Sequence, residues 1–118
     1  MAYTDAALNI AVDALAGDID EVSLHSADPG TTGTNELSGG TYARQAVTFA
    51  AGVAGEAFVN NAPTFDVPAS ATVAYVGFWD STGPTFRASA VVTTETYSEN
   101  GGTYQVLNTT KLAVSNTV

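Results

Sequence analysis

Residues 72–80 read TVAYVGFWD, the most apolar strand-like run in the chain. In extended backbone the side chains alternate, so Val73, Tyr75 and Trp79 share one face and Val76 and Phe78 the other. Apolar residues on both faces need cover on both sides, which predicts a central strand between two layers. Working outward, Pro63 and Pro68 bracket a short strand, Thr64 to Val67, whose prolines suit an edge. Ser81-Thr82-Gly83-Pro84 predicts a turn into Thr85 to Val92, followed by Thr93 to Tyr97. Asn100-Gly101 carries a hairpin signal, and Thr103 to Asn108 and Lys111 to Val114 complete the series.

Upstream, Glu21 to Ala27 alternates, with Val22 and Leu24 on one face and Ser23 and His25 on the other. Asp28-Pro29-Gly30 opens a polar loop to about Gly40, and Tyr42 to Phe49 is expected as the next strand. Its Val47 and Phe49 would oppose Tyr42 and Arg44. The small residues Ala50 to Gly55 predict a connection into Glu56 to Asn60. Near the start, Leu8, Ala11, Val12 and Leu15 recur at helical steps, giving a helix over 4–16 with Thr4 as N-cap and Gly17 as its stop. The fold class expected is therefore mainly β: one β-sandwich or barrel-like domain over 1–118, with about eight short antiparallel strands over 21–118 and one N-terminal helix.

Charge narrows the function. Twelve acids face three bases, Arg44, Arg87 and Lys111, in 118 residues, for a net charge of −9. Nucleic acid and anionic membranes both demand clustered cations, so neither is an expected partner. Charged residues make up 13%, about half the ordinary share, which leaves the surface to Thr, Ser, Asn and Gly. Met1 to Asn9 has neither positive charge nor an apolar run, so no signal peptide is expected there. The absence of cysteine removes disulfides, thiolate metal sites and thiol nucleophiles.

Catalytic chemistry finds little to stand on. His25 is the one histidine, no nucleophile-elbow motif accompanies it, and the expectation is a strand residue bonding to loop backbone. Asp18, Asp20 and Glu21 lack the residue order of a calcium loop and read as a hydrated turn. The twelve acids read as a solvated surface rather than a paired-carboxylate cleft. Phe78 and Trp79 are expected in the core rather than on a sugar-stacking platform. Catalytic, cofactor and metal residues are each expected to be none.

Two segments are more specific. Residues 25–49, HSADPGTTGTNELSGGTYARQAVTF, and 61–80, NAPTFDVPASATVAYVGFWD, resemble a family of small bacteriophage virion structural proteins, commonly described as phage tail fibre or minor structural proteins. The resemblance implies a virion component made in the host cytoplasm, with other virion proteins as partners and no catalytic residues to carry over. Placement on a tail fibre or tip and decoration of a capsid both stay open. A carbohydrate-binding host-recognition module is the alternative. The residues singled out are Asp28, Glu36, Tyr42 and Arg44. Arg44 is expected to pair with Asp28, Glu36 or Asp80 and pin the long loop, or else to form a subunit contact. A homo-oligomer is expected from the marginal helix and the short proline-flanked strand, both of which need docking.

Overall fold

The computed structural model describes residues 2–116; Met1, Thr117 and Val118, the ends of the expected 1–118 domain, lie outside the described residues. One helix, α1 (Asp5–Asp18), precedes eight strands: β1 (Glu21–His25), β2 (Gln45–Ala46), β3 (Glu56–Phe58), β4 (Thr64–Val67), β5 (Thr72–Asp80), β6 (Thr85–Thr96), β7 (Gly102–Gln105) and β8 (Lys111–Ala113). All strand pairs are antiparallel. The mainly β class expected from the sequence is the class observed.

The first layer is a four-stranded sheet in the order β2-β1-β5-β6. Its interior strand β5 carries the TVAYVGFWD run, and Val22 and Leu24 of β1 stand opposite Phe78 and Val76. These four are fully buried and join Phe65, Val67, Ala57, Val59, Val106 and Leu112 in one apolar cluster.

The second layer supplies those last six residues. β3 pairs with β8 and β4 with β7, and one register runs from Glu56↔Ala113 through Val67↔Gly102. Val59 N–H donates to Thr110 O and Val106 N–H to Pro63 O in that same register. The two short pairs are therefore one long bent ribbon interrupted in its middle. The 45–50 segment joins the layers: Val47 N–H bonds Asp20 O beside β1, while Ala50 N–H bonds Phe58 O and Asn60 N–H bonds Thr48 O beside β3. One side of the sandwich is thus closed by a strand that changes sheets, as barrels do at their corners. On the other side β6 is an edge, and no described strand pairs with its outer side.

Several expectations need correction. The helix runs past Gly17 to Asp18, and Ile19 makes the cap, its N–H bonding Ala16 O; Thr4 does cap the other end, its Oγ1 accepting Ala7 N–H at 3.1 Å. The helix is tied down by Asp13, which accepts Gly52 N–H at 2.7 Å, and Asn9, which accepts Gly55 N–H at 2.9 Å. Both faces of β1 are covered, Ser23 and His25 being as buried as Val22 and Leu24. The expected strand 42–49 shrinks to Gln45–Ala46, since Tyr42 N–H closes a turn on Gly39 O and the side chains before Gln45 bond into the loop. Thr85 to Thr96 is one strand rather than two. Asn100-Gly101 does not join a hairpin: β7 pairs with β4, and the turn carries the chain from one layer to the other.

Phe78 is fully buried and meets the half-buried Phe49 edge-on at 5.5 Å. Phe78→Ala is expected to cost about 3–5 kcal/mol in urea unfolding. Phe58→Ala, on the outer side of the ribbon, is expected to cost less than about 1 kcal/mol in the same measurement.

Candidate functional site

The residues singled out by sequence lie in the 26–44 segment, which folds over the outer face of β1 and β5. Asp28 begins it as an Asx turn, its carboxylate accepting Gly30 N–H at 2.8 Å. Pro29 is buried, and its carbonyl gathers Gly33 N–H at 3.0 Å and Thr34 N–H at 3.1 Å. The chain then returns beside β1, with Ser26 N–H bonding Asn35 O and Leu37 N–H bonding Leu24 O, both at 3.0 Å.

Beneath the loop lies Trp79. The Arg44 guanidinium stacks on the indole with its carbon 3.6 Å from the ring centroid, and Phe86 meets the indole edge-on at 5.1 Å. A Cβ on Gly33 would fall 2.6 Å from the indole, and the backbone there has φ +77°, so only glycine fits the approach without strain. Of the three carboxylates weighed for Arg44, Glu36 is the one it meets, in a two-pronged contact: Nε to Oε2 at 3.0 Å and Nη2 to Oε1 at 2.8 Å. Tyr42 O–H donates to Glu36 Oε2 at 2.8 Å and accepts Leu24 N–H at 3.0 Å. Glu36, Tyr42 and Arg44 are therefore one cluster. Asp28 sits apart at the loop's first turn, and Asp80 pairs with Arg87 at 3.4 Å.

Burial alone would raise the Glu36 carboxyl, but the bonds from Arg44 and Tyr42 and the guanidinium charge outweigh it and hold the group below its usual range. Tyr42 is pushed above the usual phenol range, first by burial and also by bonding to the Glu36 carboxylate. Both shifts favour the states that make the cluster: an ionised acid and a protonated phenol.

A second group lies deeper, and the sequence did not single it out as a unit. Trp79 Nε1–H donates to Ser23 Oγ at 2.7 Å, and Ser23 Oγ stands 2.7 Å from His25 Nε2. His25 Nδ1 is 2.7 Å from Thr34 O. A carbonyl only accepts, so Nδ1 carries the proton and Nε2 of the neutral ring accepts from Ser23. The bonds form a directed chain from Trp79 through Ser23 and His25 to the loop backbone, and His25 does meet loop backbone as expected. Gly77 makes room for it: a Cβ there would come within 2.5 Å of His25 Nε2 and 2.6 Å of Ser23 Oγ. The signal available beforehand was that Ser23, His25, Gly77 and Trp79 share one strand parity, under a loop with its own glycine.

A serine bonded to a histidine is the beginning of a nucleophile and base. Here Ser23 Oγ already accepts from Trp79, the histidine's other nitrogen faces a carbonyl rather than a carboxylate, and both residues are fully buried. No space is left at Oγ for a reacting carbonyl. Elsewhere, the exposed Asp20 carboxylate accepts Ser81 N–H at 2.7 Å and Ser81 O–H. No three acidic or histidine groups converge as a metal set among the described residues. A groove of about 790 Å³ lies between β6 and the β7–β8 side of the ribbon, and Ser, Thr and aliphatic residues dominate its lining.

His25 is held below its usual value, first by burial and also by the Arg44 charge, against the opposing effects of the Thr34 bond and Glu36. The unfolded chain therefore binds the proton more readily, and stability falls as the pH drops below 6.5, until the lowered folded value is passed. Glu36 adds a loss on the same acid side, below 4.5. Between those two pH values the melting temperature of the protein is expected to decline, and His25→Gln, which cannot titrate, is expected to flatten that decline.

Comparison with known proteins gives one family. The model of the family described as podophage GP4 fiber I protein gp80 matches residues 21–115. No curated protein and no solved structure matches the chain. The matched span begins at β1, ends just past β8 and contains the whole loop with its Trp79 seat, leaving only the helix outside. With all eight strands and both motif segments inside the match, the chain belongs to the podophage GP4 fiber I protein gp80 family, a family of phage fibre structural proteins.

Proposed function

We propose that the chain is a non-enzymatic subunit of a podophage tail fibre, present in several copies and held by contacts with other virion proteins. The observation that carries this reading is how the most elaborate polar group of the molecule is spent. Every bond in the Glu36–Tyr42–Arg44 and Trp79–Ser23–His25 groups is made within the protein's own loop and sheet, and no described buried side-chain polar atom lacks a partner. Such a site holds a shape and offers nothing to a substrate. The fibre family favours the tail over capsid decoration. Carbohydrate recognition by an aromatic platform has no support from Trp79, which is only 8% exposed.

In this reading Asp28, Glu36, Tyr42 and Arg44 pin the loop so that its outer surface is presented rigidly. A net charge of −9 keeps free copies apart until complementary surfaces meet. Mass spectrometry of tails and heads separated from purified virions tests the assignment. The chain is expected in the tail fraction; its absence from particles, with presence in infected-cell lysate, refutes it. Arg44→Ala is expected to cost about 1–3 kcal/mol and to open the 26–44 loop to limited proteolysis. Arg44→Lys is expected to recover little, because an ammonium neither stacks flat on the indole nor bonds both carboxylate oxygens.

A further inference from the structure

β6 is the longest strand, twelve residues, and it ends the four-stranded sheet. An unpaired edge of this length offers a row of backbone donors and acceptors to any strand that fits. The groove beside it keeps the edge uncovered. Two of the most exposed large apolar residues, Val91 at 74% and Leu107 at 57%, stand on opposite sides of that groove.

The strand's sequence specifies what fits. Within Thr85–Thr96 the only charged residues are Arg87 and Glu95, and Val91 lies midway between them. Turned antiparallel on itself about Val91, β6 places Arg87 opposite Glu95 of a second copy, twice by symmetry. Ser89 then faces Thr93, and Val91 faces Val91 on the axis. No other self-register brings the two charges face to face. Both charges are loosely held at home: Arg87 reaches Asp80 only at 3.4 Å, and Glu95 accepts from Tyr97 O–H at 3.0 Å on an exposed surface.

The β5–β6 register slips between Phe78 and Trp79 and again between Val73 and Tyr75, leaving extra residues on β6 at both ends of Ala88–Val91. Such slips bend an edge strand and discourage unmatched partners. The extra residues are Arg87 at one end and two within Val92–Thr94 at the other, so in an antiparallel copy each slip faces a regular stretch and the register is set by the two charges alone.

We propose that two copies of this chain join edge to edge through antiparallel β6 strands on a two-fold axis at Val91, with reciprocal Arg87–Glu95 pairs fixing the register. This rests on the multi-copy reading above and names the surface it uses. The contact is isologous, so each copy gives and receives the same residues.

These 118 residues contain no cysteine, so one introduced thiol can link only to another copy. Val91→Cys is expected to form a disulfide dimer under mild oxidation. Ser89→Cys is expected to form far less, because its equivalents would lie about 13 Å apart, beyond disulfide reach. By analytical ultracentrifugation, Arg87→Glu and Glu95→Arg are each expected to weaken self-association about tenfold, since like charges opposite one another repel. The double reversal is expected to restore it. Equal crosslinking at both positions, self-association indifferent to either reversal, or a monomer at every concentration would overturn the β6 contact. The fibre assignment stands or falls separately, on presence of the chain in purified tails.

Discussion

The outer face of β5 carries an indole that the sheet alone cannot cover. Trp79 is large, apolar and fixed by its strand, and leaving it wet would forfeit roughly 2–3 kcal/mol of burial. The 26–44 segment answers that demand from two sides, Gly33 bringing backbone against the ring and the Arg44 guanidinium lying on its face, while Phe86 of β6 meets its edge. Once the guanidinium is placed there its charge needs a partner, which Glu36 supplies, and Tyr42 holds Glu36 from the other side while anchoring to Leu24. A loop of almost twenty residues thereby acquires one conformation.

The polar chain under the loop does related work at the ring's other end. An indole N–H cannot be buried without an acceptor, and Ser23 provides one. The serine's own hydrogen then needs a destination, and His25 passes the requirement to Thr34 in the loop. Each satisfied group creates the next requirement, and the sequence of needs ends in backbone. This explains how a chain so poor in charge can seat a long polar loop: it uses three ionic or aromatic side chains on the outside and neutral hydrogen bonds within.

How much of this was legible in the sequence varies with the physics involved. β4 and β5 could be placed to the residue, because prolines bounded one and apolar residues on both faces marked the other. The strand expected at 42–49 failed because Tyr42 and Arg44 alternate as strand residues do while their side chains serve a tertiary contact. The Asn-Gly turn misled for a similar reason: turn chemistry is local, whereas the partner of β7 is decided by the register of a ribbon built from distant segments. Arg44 could be linked to a short list of carboxylates, but its stacking on Trp79 depends on a crossing of loop over sheet that no spacing reveals.

That ribbon also bears on how the protein reaches its native state. β5 and β6 are joined by a short turn and can meet early, while β3 must find β8 across nearly half the chain. Contacts so far apart pay a large loop-closure entropy before any gain, and topologies rich in them fold slowly. The hairpin of β5 and β6 therefore has the smaller loop to close, and its long edge stays open for as long as the β7–β8 side is not in place. Were copies to join through β6 as proposed, assembly and folding would compete in time for the same strand.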